Sequence, residues 1–197
     1  MEIPEVFKSG IYIAFVIGII VFSSYVTDEI GIAFYELQNN EKKIFDMIHE
    51  ITPDLHMHEE YVNIIPLCIL FSFFFIPNGA ELSKNFASMF FFVCILRSMT
   101  IMTTILPKHE KCMTRFHWSN IFRGQCYDKV FSGHTSFVFL ASLVFYEAGI
   151  ISFPALICMN FIEAAIILLT RSHYTVDVLL AYMVSFMVFQ SSHVSIC

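Results

Sequence analysis

Six apolar runs, each 17 to 22 residues long, take up more than half of this 197-residue chain. They are Ile11–Thr27, Tyr61–Pro77, Phe86–Leu106, Ser132–Ala148, Gly149–Thr170 and Tyr174–Gln190. A helix needs about 20 apolar residues to cross the hydrocarbon core of a bilayer. Only 14% of the residues are charged, against about 25% in soluble domains. A single water-soluble core does not account for that deficit, so a bilayer is the expected solvent. The expected architecture is all-α, a polytopic membrane helix bundle with six transmembrane helices. Residues 1–197 are read as one domain, with a catalytic core at about 86–190. No repeat, low-complexity tract or linker interrupts the chain. The first run follows Lys8 and has no small-x-small cleavage site, so it is read as a retained span rather than a signal peptide. A tight connection near Gly149 and Pro154 makes the fourth and fifth runs an antiparallel hairpin.

Even parity puts both termini on one side of the membrane. The loop Asp28–Glu60, the loop Pro107–Phe131 and the turn Arg171–His173 share the other side. His134, at the start of the fourth run, then comes beside His173, at the start of the sixth. The basic residues divide unevenly. Lys8 and Lys84 are on the terminal side, while Lys42, Lys43, Lys108, Lys111, Arg115, Arg123, Lys129 and Arg171 are on the other. Read literally, the positive-inside rule makes the second face cytosolic. Residues that bind a substrate phosphate inflate the same count, so the charges leave orientation open. The net charge of -6 gives no sign of nucleic-acid binding. In Glu41–Ile51, apolar Ile44, Phe45, Ile48 and Ile51 alternate with charges in a pattern that suits either a short interfacial helix or a plain connector. Cys68, Cys94 and Cys158 read as small buried apolar residues. Cys112 and Cys126 share a polar loop and are either a disulfide or two free thiols.

Ionisable groups are costly at a membrane boundary unless they are used. His173 and Asp177 are four residues apart, so on a helix they share one face. A carboxylate bonded to one ring nitrogen makes the other more nucleophilic. His173 is therefore the candidate nucleophile on phosphorus, with Asp177 orienting it. An alkoxide leaving group needs a proton, and His134 is the candidate acid. Ser132 is placed to cap the helix, Gly133 to make a tight turn, and the backbone N–H groups there to face an anion. Arg97 lies within a span, where it either binds phosphate or pairs with Glu163. Asp128 is a candidate for selecting a cationic headgroup. Arg171 and Tyr174 flank His173 and complete the substrate-binding candidates. His109, Glu110 and His117, and likewise His49, His56 and His58, read as solvated loop residues. No metal or other cofactor is expected.

These residues carry a resemblance. The chain resembles the sphingomyelin synthase group of ceramide phosphotransferases, within the type-2 phosphatidic acid phosphatase superfamily. Four places carry it: Thr52-Pro53-Asp54-Leu55; Leu96-Arg97-Ser98-Met99-Thr100 through Leu106-Pro107; Gln125-Cys126-Tyr127-Asp128 through Ser132-Gly133-His134-Thr135; and His173 to Val178 with Ala181-Tyr182. The last two are the specific ones. The resemblance implies a six-span enzyme with a His/His/Asp triad. One histidine takes the phospho-headgroup of a donor phospholipid, diacylglycerol leaves, and a ceramide hydroxyl accepts the headgroup. His173 would carry the headgroup, His134 would act as acid and then base, and Asp177 would hold His173. The chain lacks the Lys-x6-Arg-Pro element of the lipid phosphatase branch. Ile167 stands where that branch has an arginine six residues before the second histidine, and the nearest basic residue is Arg171. These departures favour the transferase branch.

The expected partners are a phospholipid donor, a ceramide acceptor and the bilayer. Choline, ethanolamine and inositol headgroups all fit, and oligomeric state is left open. The alternative is a lipid phosphate phosphatase or phospholipase C-like hydrolase using the same triad. A multi-pass protein of the Golgi, endoplasmic reticulum or plasma membrane is expected, with its catalytic face luminal or extracellular. The long N-terminal extension of some members, with its regulatory domain, is not expected.

Overall fold

A computed structural model describes residues 5–37, 44–108, 112 and 126–194, and the described residues are helical or irregular. The helices are α1 (Glu5–Gly31), α2 (Met47–Ile51), α3 (Ile64–Ser72), α4 (Gly79–Thr103), α5 (Gly133–Glu147), α6 (Phe153–Leu169) and α7 (Thr175–Val194). A π-helical turn, Ile32–Glu36, continues α1, and a 3-10 segment, His56–Asn63, leads into α3. His109, Glu110 and His117 lie outside the described residues.

Each apolar run contributes a helical segment. Three segments are long and apolar enough to cross a membrane: Ile17–Glu36, Gly79–Thr103 and Thr175–Ser192. Phe153–Leu169 is apolar but shorter. The second run departs most from a single span. Its first residues, Tyr61 to Asn63, finish the 3-10 segment, and its α-helix has nine residues, about 14 Å of rise. Glu41–Ile51, read as either an interfacial helix or a connector, contains in its described part the five-residue α2.

The six segments alternate in direction. α1 and α4 run side by side in parallel, since Ser23 Oγ donates to Ser98 Oγ at 3.2 Å and Thr27 Oγ1 to the Ile101 carbonyl at 3.3 Å. The 3-10 segment starts at the end of the bundle where α4 finishes, and α3 finishes at the other end. α5 then runs away from the first end, α6 returns and α7 runs away again. The turn between α5 and α6 has a clear local cause. The Ile150 N–H donates to the Phe145 carbonyl and the Gly149 N–H to the Tyr146 carbonyl. Gly149 sits at φ 69°, the left-handed conformation this helix ending needs and glycine adopts without a Cβ clash. Pro154 occupies the first turn of α6, where its missing N–H costs nothing.

The core lies away from the polar end. Phe73, Phe86, Phe137 and Phe145 pack ring against ring from α4, α5 and the turn after α3, with centroids 4.9 to 5.6 Å apart. Outward faces are apolar too: Phe22, Phe74, Phe75, Phe161 and Met187 are all well exposed. Helices that are apolar on both faces suit a lipid surround. Cys94 is buried, but Cys68 and Cys158 are exposed rather than buried as expected. They sit on outward faces, where an apolar run gives no sign of which side is inside.

Candidate active site

The loop that precedes α5 organises the polar end. Ser132 caps α5: its Oγ accepts from the Thr135 N–H at 3.2 Å. Its own N–H donates to the Asp177 carbonyl at 3.2 Å. That bond ties the start of α5 to the first turn of α7. It brings His134, two residues beyond the cap, to the end of the bundle that carries His173.

His173 is buried, and its Nδ1 lies 2.8 Å from the Lys129 carbonyl oxygen. A carbonyl only accepts, so Nδ1 carries the proton and Nε2 keeps its lone pair. The four-residue spacing predicts this orienting bond from Asp177. Asp177 Oδ2 is instead 3.7 Å from Nδ1, close enough for electrostatic contact but not for a hydrogen bond. The reason is local. α7 begins at Thr175, so His173 precedes the helix, and Asp177 Oδ2 turns back to accept from the Tyr174 N–H at 3.0 Å. This is the reciprocal half of a helix-start cap. His134 Nε2 donates to Asn63 Oδ1 at 3.0 Å.

Arg97 does not meet Glu163. Its guanidinium pairs with Asp128, and its Nε donates to the Phe131 carbonyl at 2.9 Å. Asp128 Oδ2 also accepts from Ser24 Oγ at 2.8 Å. Glu163 is fully buried in α6, which packs chiefly on α5 and the 3-10 segment, away from α4. Gly133 is explained by the same guanidinium, since a Cβ there would lie 3.3 Å from Arg97 Nε.

Arg171 is also occupied. Its Nη2 donates to the carbonyls of His49 and Thr52, both at 2.7 Å, and its Nη1 to Thr52 Oγ1 at 3.0 Å. It stands at φ 59° in the turn that ends α6, a conformation costing a non-glycine residue about 1 kcal/mol. These hydrogen bonds offset that strain. Tyr174 donates its hydroxyl to the Pro107 carbonyl at 3.2 Å, and its ring lies 5.6 Å from that of His49. Of the six substrate-binding candidates, Arg97, Asp128, Arg171 and Tyr174 thus brace the site. Ser132 and Gly133 shape the α5 entry.

Sequence reasoning missed five residues. Asn63 positions His134. Lys129 holds His173 through its carbonyl, and its buried Nζ donates to the Ser172 carbonyl at 2.7 Å. Burial pushes the Lys129 ammonium below its usual range, against the Glu59, Asp128 and Asp177 carboxylates. His49 is not simply solvated: its Nε2 donates to the His173 carbonyl at 3.2 Å, and His56 Nδ1 donates to the Thr170 carbonyl at 3.3 Å. Burial holds His49 below the usual histidine range; Asp46 opposes that and Arg171 adds to it. Asp46 caps two helices. Its Oδ1 accepts from the N–H groups of Ile48 and His49 in α2, and its carboxylate takes both the N–H and the hydroxyl of Thr175 in α7. An aspartate just before Met47–Ile51 was a readable cap signal for α2. Its bond across 129 residues was not.

Asp46→Ala is expected to lower unfolding free energy by about 2 kcal/mol, near 1 for each lost cap, as measured by thermal unfolding in detergent. Burial raises the Asp46 pKa, but the Thr175 and His49 donors outweigh it and leave the carboxyl below its usual range. Its contribution is therefore full above the ordinary aspartate value and lost as pH falls through the lower folded value. Acid destabilisation should lose that component in Asp46→Asn. An unchanged acid profile would count against the double cap.

Cys112 and Cys126 form a disulfide across 14 residues. It closes the loop directly before Tyr127, Asp128 and Lys129.

The fold and site define an all-helical protein with membrane-compatible helices, in which α5 and the α6–α7 turn bring two histidines and an aspartate to one end. Residues 125–194 match the PAP2 superfamily C-terminal family. That stretch contains His134, His173 and Asp177 and covers about a third of the chain. No curated protein matches the chain.

Proposed function

We propose that the protein is an integral membrane enzyme that transfers a phospho-headgroup from a glycerophospholipid to ceramide and releases diacylglycerol. The headgroup is phosphocholine, phosphoethanolamine or phosphoinositol. The observation that carries this reading is His173, whose Nδ1 proton is fixed by the Lys129 carbonyl so that Nε2 is the free nucleophile. The similarity of residues 125–194 to the PAP2 superfamily supports chemistry on lipid phosphate esters. The missing Lys-x6-Arg-Pro element and Ile167 favour transfer over hydrolysis.

In the first half-reaction, His173 Nε2 attacks phosphorus and the bond to the glycerol oxygen breaks. His134, as imidazolium, gives that oxygen its proton, and diacylglycerol leaves. In the second, His134 takes the proton of a ceramide hydroxyl. The hydroxyl oxygen attacks phosphorus, the P–N bond breaks and neutral His173 returns. Asp177, 3.7 Å from Nδ1, stabilises the positive charge on His173 while the headgroup is attached.

Six membrane crossings are part of this reading, supported by the alternating directions of the helical segments. The catalytic face is luminal or extracellular. The Cys112–Cys126 disulfide supports that side, since such bonds persist in oxidising compartments. Lys129 and Arg171, which weighed toward a cytosolic face, are buried on local carbonyls. In sealed microsomes, a membrane-impermeant reductant should open the disulfide only after detergent is added. Reduction without detergent would place the loop in the cytosol.

Proteoliposomes containing a fluorescent ceramide and a phospholipid donor test the reaction. A more polar fluorescent lipid and an equal amount of diacylglycerol are expected, and the product's mass gives the headgroup. Soluble headgroup or phosphate without a ceramide product would identify a hydrolase instead.

A further inference from the structure

We propose that the Lys129 ammonium is a further catalytic residue, the ligand for the non-bridging phosphate oxygens of the headgroup in transit. This rests on the reading of the site as a phosphoryl-transfer centre and names the cation that reading lacks.

The two arginines expected to bind phosphate are already committed. Arg97 is held by Asp128 and the Phe131 carbonyl, and Arg171 by the His49–Thr52 segment. Lys129 is different. The residue is 6% exposed, yet Nζ makes one hydrogen bond, to the Ser172 carbonyl, and no ion pair among the described residues. An ammonium has three donors, so two remain. A buried cation without a bonded anion is costly unless another partner arrives.

Position supplies the partner. Lys129 holds two adjacent residues at the nucleophile: its carbonyl accepts from His173 Nδ1, and its Nζ donates to the carbonyl of Ser172, just before His173. The ammonium is therefore fixed beside the histidine that would carry the phosphorus. Burial works against its charged form, and Glu59, Asp128 and Asp177 oppose that electrostatically without occupying its donors. Charge on the equatorial oxygens of a phosphoryl group in flight is what a fixed cation stabilises best.

The full chain in detergent is titrated with orthovanadate, a phosphate mimic that becomes five-coordinate when a nucleophile adds to it, while thermal unfolding is followed. The same preparations are assayed with phospholipid and ceramide. Lys129→Met keeps the backbone carbonyl that orients His173 but removes the ammonium. It is expected to weaken vanadate binding about 100-fold, the order of a charge-assisted bond, and to lower kcat/KM by a similar factor. Lys129→Arg, which keeps charge and donors, should recover most of both. Unchanged vanadate affinity in Lys129→Met overturns the proposal. So does equal loss in both variants with matching falls in melting temperature, which marks a structural strut, and so does a wild type that vanadate does not stabilise. If vanadate binding depends on Lys129 but no ceramide product forms, the phosphate site stands and the transferase reading fails.

Discussion

His173→Ala is expected to lower headgroup transfer at least about 1,000-fold, because it removes the atom to which phosphorus is bonded between the half-reactions. The protein should still fold. His173 makes one side-chain hydrogen bond, to the Lys129 carbonyl, and the turn around it is held by Arg171, Asp46 and His49 through other atoms. A donor labelled at phosphorus adds a direct readout. Wild type should carry transient, acid-labile label on protein, and His173→Ala none. His134→Gln should both gain and lose label more slowly, because diacylglycerol then lacks its acid and ceramide its base. Activity that survives both substitutions, or label that persists in His173→Ala, would remove the nucleophile from this position.

The second large effect is structural. Arg97→Met should destabilise the protein by about 3–5 kcal/mol, since it strands the Asp128 carboxylate in a buried setting. Side-chain exposures are 13% for Arg97 and 4% for Asp128. The substitution also removes the donor to the Phe131 carbonyl. The loop between Asp128 and Phe131 carries the Lys129 carbonyl that orients His173, so activity should fall with stability. Adding Asp128→Asn to Arg97→Met removes the stranded charge and should restore a large part of the lost stability. Glu163→Gln in the same background should restore none, because Glu163 is not the partner. Additive losses from Arg97→Met and Asp128→Asn would count against the pair.

Much of the site was legible locally. Ser132 before Gly133 and His134 is a cap signal, and the structure uses Ser132 as one. The apolar runs located each helical segment, because burial against lipid or protein selects the same residue types. Helix lengths were less legible. Hydropathy marks an apolar run but not where its α-helix starts and stops, and in the second run α3 occupies only Ile64–Ser72. The Arg97–Glu163 pairing failed for a related reason. Similar depth along two helices says nothing of which helices are neighbours.

Taken alone, the sequence determined the all-helical class, the segments that carry it and the two motifs holding His134, His173 and Asp177. Side-chain chemistry and spacing along one strand of chain suffice for that. The tertiary structure decided the partners. It gave His173 Nδ1 to a backbone carbonyl 44 residues away, Arg97 to Asp128, His134 to Asn63, and Asp46 to the start of α7. Each of these bonds joins distant parts of the chain, and no local pattern in the sequence marks which group meets which. Only packing selects which of them meet.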